Sequence, residues 1–530
     1  MLLNNIIIQM KSLRIKAYIT IGLFLTSILV LLILAFIYLY SNLSIFIIVL
    51  TFAFIVTVIF SFVVFASKRQ PIIKLSWIFA FICFPIISCL VFMFVGIRPY
   101  TTKNLSNMNN LYNDYAKYDL KKDIDLKKFD PSFAKIIEYN KKTSKTNICD
   151  NNEIKIIEDF YSLYIESIKL IRSAKKCINI QMYTINDGIW LRIIATELLK
   201  KKKEGVNINI IYDWVGCFKR PIKKIINQLM EAGCNIAIFN YPGIMFFKSS
   251  TNYRSHRKSI IIDNNIALYG SSNISDEYLS ISDKLSYWHD QNYIVKGEIV
   301  NSLAVHFYYD LCTFCNVVNK KKMTQNLVSI LNKQMVDVLS MSDQVKDKTY
   351  MQLVSSAPDN DHKTIEQILT NLIHSAKKSI YIVTPYLVPT RIIIESLICS
   401  SISGVDVKLI VPGWNDNKKL TIRYNEKCYQ ILLESLCSVY EYQGFIHSKY
   451  LIIDDKIVFT GSNNLDYRSL WINFENAILV YDRLFANQMK ELFERDLNLS
   501  KKIDLSEVIA KNTHWRKFKD LFLDIVQPLM

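Results

Sequence analysis

The stretch HSKYLIIDDKIVFTGSNN, His447 to Asn464, sets a histidine, a lysine two places on, an aspartate five places later and a Gly-Ser-x-Asn turn around a β-branched run. The stretch HRKSIIIDNNIALYGSSN, His256 to Asn273, holds the same residues at the same spacings, 191 positions earlier. The run Tyr450 to Ile453 reads as a buried strand, in which alternate residues face the same way. His447 and Lys449 are therefore expected on one side. Small residues in the turn, Ser271 and Ser462 among them, would let backbone N–H groups approach an anion. Asn273 and Asn464 would each add an amide donor. Imidazole, ammonium and amide converging on one point suit a phosphoryl group: the cation and amide fix its oxygens, and the imidazole serves as nucleophile, acid or base.

One copy supplies half a site. Two facing copies supply two histidines, one to attack phosphorus and one to protonate the leaving alcohol and deprotonate the incoming one. A bland alternative is a pair of structural histidines in duplicated strands. It leaves unexplained why lysine and asparagine are duplicated with them in a chain of seven histidines. A catalytic histidine also needs a carboxylate to orient its other ring nitrogen. WHDQN supplies Asp290 and WINFE supplies Glu475, each just before an apolar run (Tyr293 to Val295; Ala477 to Val480). Asp263 and Asp454 are expected to brace the turn more than to touch substrate. His289, adjacent but unduplicated, reads as structural. The acidic pairs lack two-metal spacing, and the one CxxC, Cys312 and Cys315, lacks a second pair for zinc, so neither metal nor cofactor is expected.

The two motifs belong to a longer repeat. SAKKCINIQMY (Ser173 to Tyr183) recurs as SAKKSIYIVTPY (Ser375 to Tyr386), and GVNINIIYD (Gly205 to Asp213) as GVDVKLIVPG (Gly404 to Gly413). Helices are predicted over Asp159 to Lys175 and His362 to Lys377, and over Ile189 to Lys203 and Arg391 to Ser403, with strands between them. This alternation predicts an α/β fold with mixed sheets: two halves, residues 150–325 and 345–515, about a pseudo-twofold, joined near Asn319 to Lys348. Residues 98–149 read as a polar linker with some helix.

The chain of 530 residues carries a net charge of +17, and its mean hydropathy is +0.17. Such a surface seeks polyanions, either nucleic acid or anionic lipid. The apolar excess lies at the front, in three uncharged runs: Ala17 to Tyr40, Ser44 to Ala66 and Leu75 to Ile97. Each reaches the roughly 20 residues that cross a bilayer core. The first is too long for a signal peptide and lacks a cleavage site. Lys11, Arg14 and Lys16 favour a cytoplasmic N-terminus, and Lys68, Arg69 and Lys74 a cytoplasmic loop; two to three spans satisfy these charges. Eleven scattered cysteines suggest no disulfide framework.

With these residues in place, the chain resembles the phospholipase D superfamily, whose mark HxKx4Dx6GSxN stands here twice, and within it the bacterial cardiolipin synthases. Supporting stretches are NYRSHRKSIIID, SDEYL, TPYLVP, SGVDVKLIVPG, GSNNLDYRSLWINFE and the apolar RQPIIKLSWIFAFICFPIISCLVFMFVGIRPY. The resemblance runs from about Ser44 to the C-terminus. It implies two phospholipase D-like α/β halves preceded by N-terminal transmembrane helices, in a multi-pass protein of the cell membrane. It implies an enzyme that joins two phosphatidylglycerol molecules into cardiolipin and releases glycerol. Its partners would be phosphatidylglycerol and anionic membrane lipids, not nucleic acid. The same resemblance has His256, Lys258, Asp263, His447, Lys449 and Asp454 carry the site, with Asn273 and Asn464 alongside. His256 is taken as nucleophile and His447 as acid and base, the pseudo-symmetry leaving the reverse assignment open. Two features depart from the family: the first apolar run is extra, and Ser272 stands where many relatives have a second glycine. The rival readings are a nuclease, a hydrolytic phospholipase D or another phosphatidyltransferase, and a non-catalytic membrane scaffold.

Overall fold

The computed structural model describes residues 43–67, 71–96, 113, 119, 124–218, 220–241, 252–280, 288–317, 349–357, 362–413, 419–511 and 513. The first apolar run and the whole of the expected join lie outside them. The N-terminal region and the α/β body are separate compact units, each described by itself.

In the N-terminal unit, Leu43–Ala66 is one helix of 24 residues without a charged side chain. Phe52, Phe54 and Phe62 stand exposed along it. The third apolar run was expected as one span and is instead divided. A helix Pro71–Cys83 breaks at Phe84, a second helix Pro85–Val91 follows, and Phe92–Gly96 forms a π-turn. Pro85 causes the break: it has no N–H to donate, and its ring crowds the preceding turn. Phe81 and Phe92 pack edge to face with Phe60. Among the described residues no helix is long and apolar enough to be assigned as a membrane crossing.

The α/β body repeats one topology twice. Its first sheet takes β1 (Asn152–Ile157), β2 (Cys177–Met182), β3 (Asn207–Asp213), β4 (Asn235–Phe239), β5 (Ser259–Ile262), β6 (Ile266–Gly270), β8 (Asn292–Gly297) and β9 (Cys315–Val317); the short β7 (Trp288–His289) stands apart. The order is β1-β8-β6-β5-β2-β3-β4-β9. The second half supplies β10 (Tyr350–Ser356), β11 (Ser379–Val383), β12 (Leu387–Val388), β13 (Asp406–Pro412), β14 (Ser438–Tyr442), β15 (Phe445–Ile446), β16 (Tyr450–Ile453), β17 (Ile457–Gly461), β18 (Leu465–Asp466), β19 (Glu475–Tyr481) and β20 (Ser500–Lys502). Its main sheet runs β10-β19-β17-β16-β11-β13-β14-β20, the same path strand for strand. Both sheets are mixed: β2, β3 and β4 pair parallel, as do β11, β13 and β14, and the remaining neighbours pair antiparallel.

Local chemistry explains the repeat. Strands β2, β5, β11 and β16 are buried at every residue, which suits their Ile-rich runs at the centre of a sheet covered on both faces. The expected helices form as Phe160–Ser173, Ile189–Lys203, Thr364–Ser375 and Arg391–Ile402. Asp159 caps the first by accepting from Ser162 N at 2.8 Å. Gly205 and Gly404, at φ +88° and +93°, end the two helices that lead into β3 and β13, a left-handed position that favours glycine.

The halves are packed as one body. Tyr269 Oη donates to Asn476 O at 2.7 Å, and Tyr293 Oη lies 2.9 Å from Thr460 Oγ1. Arg257 pairs with Asp310 at 2.5 Å in its own half and donates to Ser355 Oγ at 2.7 Å in the other. Within the stretch expected as linker, Pro131–Thr143 is a helix that buries Phe133, Ile136 and Ile137. Asn140 Nδ2 on it donates to Leu353 O in β10 at 2.9 Å.

Candidate active site

Each histidine is held by the half it does not belong to. The chain before His256 pairs with the chain before Glu475: Phe474 N donates to Arg254 O at 2.8 Å, and His256 N donates to Phe474 O at 2.9 Å. Asp213 fixes this crossing from behind, accepting from Ser255 N at 3.0 Å and pairing with buried Arg254 at 3.4 Å. On the other side β15 pairs with β7, and His447 N donates to His289 O at 2.6 Å. The two crossings set the rings. His256 Nδ1 lies 3.0 Å from Glu475 Oε1 and 3.1 Å from Oε2. His447 Nδ1 lies 2.8 Å from Asp290 Oδ1.

The structure sets each candidate acid beside the histidine of the opposite motif, Glu475 at His256 and Asp290 at His447. A carboxylate at Nδ1 makes that nitrogen the protonated one and leaves the Nε2 lone pair for chemistry. The motif serines complete the arrangement. Ser271 Oγ donates to Asp290, and Ser462 Oγ donates to Glu475 Oε2 at 2.5 Å. Trp288 Nε1 donates to Asp290 Oδ2 at 2.6 Å, and Asn473 Nδ2 to Glu475 Oε1 at 3.3 Å. Sequence reasoning missed these last two. Their signal was positional: each stands two places before its acid.

Lys258 Nζ donates to His256 O at 2.6 Å, and Lys449 Nζ to His447 O at 2.5 Å. Lys449 Nζ also lies 3.2 Å from both ring nitrogens of His447. Burial pushes Lys258 down to about 7 and Lys449 down to about 8. Burial likewise lowers His256 to about 4 against the pull of Glu475, and His447 to about 3 with Lys449 adding to the effect. Lys449 depresses His256 as well, and Lys258 depresses His447. The two motifs thus share one electrostatic site. Burial favours the neutral form of Glu475 and Asp290, but their histidines hold both below the usual carboxylate range.

Asp263 and Asp454, which the resemblance groups with the site and the reading of the residues makes turn braces, do not reach the site. They sit at the far ends of β5 and β16, five residues from the motif lysines and roughly 16 Å along an extended strand. Asp263 accepts from Lys175, Lys176 and Cys177 N at 2.7–2.8 Å. Asp454 does the same with Lys377, Lys378 and Ser379 N. Both brace the start of the neighbouring strand from a left-handed turn (φ +50° and +53°).

Nor do the serine amides of the Gly-Ser turns point at an anion. Ser271 N donates to Gln291 O at 3.1 Å, Ser462 N to Asn476 O at 2.9 Å and Ser272 N to the Asn292 side chain at 3.3 Å. The glycines serve strand packing: a Cβ on Gly461 would stand 2.3 Å from Asn476 O, and one on Gly270 2.6 Å from Gln291 O. Asn273 Nδ2 donates to Tyr278 Oη at 2.5 Å and Asn464 Nδ2 to Asp466 at 3.0 Å, so each amide keeps one N–H to offer. His289 Nε2 pairs with Asp496 Oδ1 at 3.3 Å.

The geometry finds matching company among known proteins. A family model described as cardiolipin synthase, phospholipase D-like domain, matches residues 167–311 and 369–497. A cardiolipin synthase of Clostridium perfringens is 30% identical over 470 residues, 88% of this chain and 95% of that protein. Cardiolipin synthase 1 of Staphylococcus epidermidis is 30% identical over 498 residues, 91% and 98% of the two chains. Among solved structures, a phosphatidylserine synthase of Haemophilus influenzae matches with a TM-score of 0.55 at 16% identity, over 74% of this chain and all of that one. That likeness concerns the fold. Two matched halves, a duplicated histidine-lysine motif and relatives aligned along most of the chain lead to one conclusion: this chain belongs to the cardiolipin synthase family of phospholipase D-like phosphatidyltransferases.

Proposed function

We propose that the enzyme transfers a phosphatidyl group from one phosphatidylglycerol to another through a phosphohistidine, giving cardiolipin and glycerol. The observation that carries this reading is the crossed pairing of His256 with Glu475 and of His447 with Asp290. It brings two oriented imidazoles and two ammonium groups into one buried site.

His256 Nε2 attacks phosphorus, and the bond to the headgroup glycerol oxygen breaks. His447 gives that oxygen its proton. The now neutral His447 takes the proton from a glycerol hydroxyl of the second phosphatidylglycerol, whose oxygen attacks phosphorus and releases His256. Lys258 and Lys449 neutralise the non-bridging oxygens. Burial and Lys449 hold His447 low, at about 3. The negative phosphodiester favours its protonated form once bound. Two lipid molecules exchange one bond for another, so neither water nor a nucleotide is consumed.

A lipid substrate gives the N-terminal unit a role. The 24-residue helix Leu43–Ala66 and the divided helix from Pro71 would anchor the enzyme in the cell membrane as a multi-pass protein, near phosphatidylglycerol and other anionic lipids. Residues 1–97 then form the membrane region, 98–149 the connection, and 150–325 and 345–515 the two phospholipase D-like domains.

The test is a product assay. Membranes carrying the protein are given labelled phosphatidylglycerol without nucleotide, beside a His256→Ala control. Cardiolipin and free glycerol, both lost in the control, support the reading. Phosphatidic acid in place of cardiolipin would make water the acceptor and the enzyme a hydrolase.

A further inference from the structure

We infer that Trp288 and Asn473 are a matched pair of positioning residues, each fixing the carboxylate two places after it so that this carboxylate can hold the histidine of the other half. The inference rests on the transfer reaction proposed above and concerns its machinery. A buried carboxylate turns easily about its last torsion, which has broad minima. Bonds to one oxygen alone leave the other to swing. Asp290 Oδ1 serves both His447 and Ser271, and Trp288 Nε1 binds the second oxygen at 2.6 Å. In the other half Ser462 binds Glu475 Oε2, and Asn473 binds Oε1 while His256 spans both. The same relative position supplies a donor in both halves, with unlike side chains: Trp288 holds the oxygen of Asp290 that His447 leaves, and Asn473 adds to His256 at Glu475 Oε1.

The difference is chemical. An indole N–H can only donate, whereas an amide can donate or accept. Trp288 therefore demands that Asp290 be an acceptor at Oδ2, which favours the carboxylate. Its ring does a second job, standing 5.1 Å from His447 and 4.6 Å from Phe445, with Tyr278 4.7 Å away. The wall and the donor can be separated: Trp288→Phe keeps an aromatic ring and removes the N–H.

The experiment measures kcat and KM for phosphodiester turnover by the full chain in lipid vesicles containing phosphatidylglycerol. Turnover is counted whether the product is cardiolipin or phosphatidic acid, so a wrong acceptor in the proposed function leaves the experiment readable. Losing a hydrogen bond to a charged group should lower kcat about 10- to 100-fold in Trp288→Phe while KM holds. In an Asp290→Asn background the same change should add no more than about twofold, because its route through the carboxylate is already gone. Asn473→Leu tested with Glu475→Gln gives an independent second cycle should either Trp288 variant fold poorly. A full further loss in the Asp290→Asn or Glu475→Gln background would overturn the inference, as would wild-type kcat in the single variants.

Discussion

His256 Nδ1 meets Glu475 Oε1 at 3.0 Å across 219 positions of chain and across the boundary between the two halves. The mirror relation joins His447 to Asp290. Neither half thus holds a complete histidine-carboxylate pair of its own. Glu475→Gln and Asp290→Asn should each lower kcat by about 10²- to 10⁴-fold, the range of general acid–base catalysis, with little change in KM. Steady-state kinetics on phosphatidylglycerol vesicles check this. Near-wild-type kcat in either variant would contradict the crossed pairing.

The buried rings also predict how stability responds to acid. His256 is lowered to about 4 and His447 to about 3 from 6.5, so the folded state binds fewer protons than the unfolded chain between those values. Stability therefore rises with pH across roughly 4 to 6.5 and falls on acidification through the same window. Glu475 and Asp290, both depressed, act with the same sign at lower pH. Thermal unfolding followed from pH 6.5 to 4 should show a falling Tm, with a shallower fall in His256→Asn and His447→Asn. Equal slopes in the variants and the wild type would show that the rings do not carry the effect.

Lys258 and Lys449, lowered by burial to about 7 and about 8, lose part of their charge near pH 8. A bound phosphate anion raises the proton affinity of both. Calorimetric titration with inorganic phosphate at pH 8, in two buffers of different ionisation enthalpy, should show net proton uptake. Lys258→Met should reduce it. Proton release on binding would contradict the placement of both ammonium groups at the anion.

Asp263 and Asp454, though part of the duplicated motif, should behave as structural residues. Asp263→Ala removes the acceptor for three backbone N–H groups, a loss of about 1–2 kcal/mol in stability. Thermal unfolding should register it while kcat stays near wild type. A large fall in kcat at unchanged Tm would return Asp263 to the chemistry.

Much of this site was legible in the sequence because it is written twice. Duplication marked His256, Lys258, His447 and Lys449, and a β-branched run marked β16 at Tyr450 to Ile453. The acids were visible from their place before a strand. Which histidine each one serves was not, since that depends on how two halves pack across a pseudo-twofold. At Asp263 the residues and the resemblance parted: motif membership grouped it with the site, while its place after the strand marked it as a turn brace. The turn serines misled, because a buried sheet consumes their N–H groups before any anion can. Pro85 was in plain view within an apolar run whose length drew the attention. Trp288 and Asn473 escaped because two unlike side chains share one role.

The most direct measurement is a rapid-quench single turnover with phosphatidylglycerol labelled in its phosphate, followed by mapping of any phosphohistidine. The account predicts a phosphatidyl adduct on the peptide carrying His256, abolished in His256→Asn and much reduced in Glu475→Gln. An adduct on His447 would exchange the roles of the two rings. Product formed at full rate in His256→Asn would contradict the covalent route.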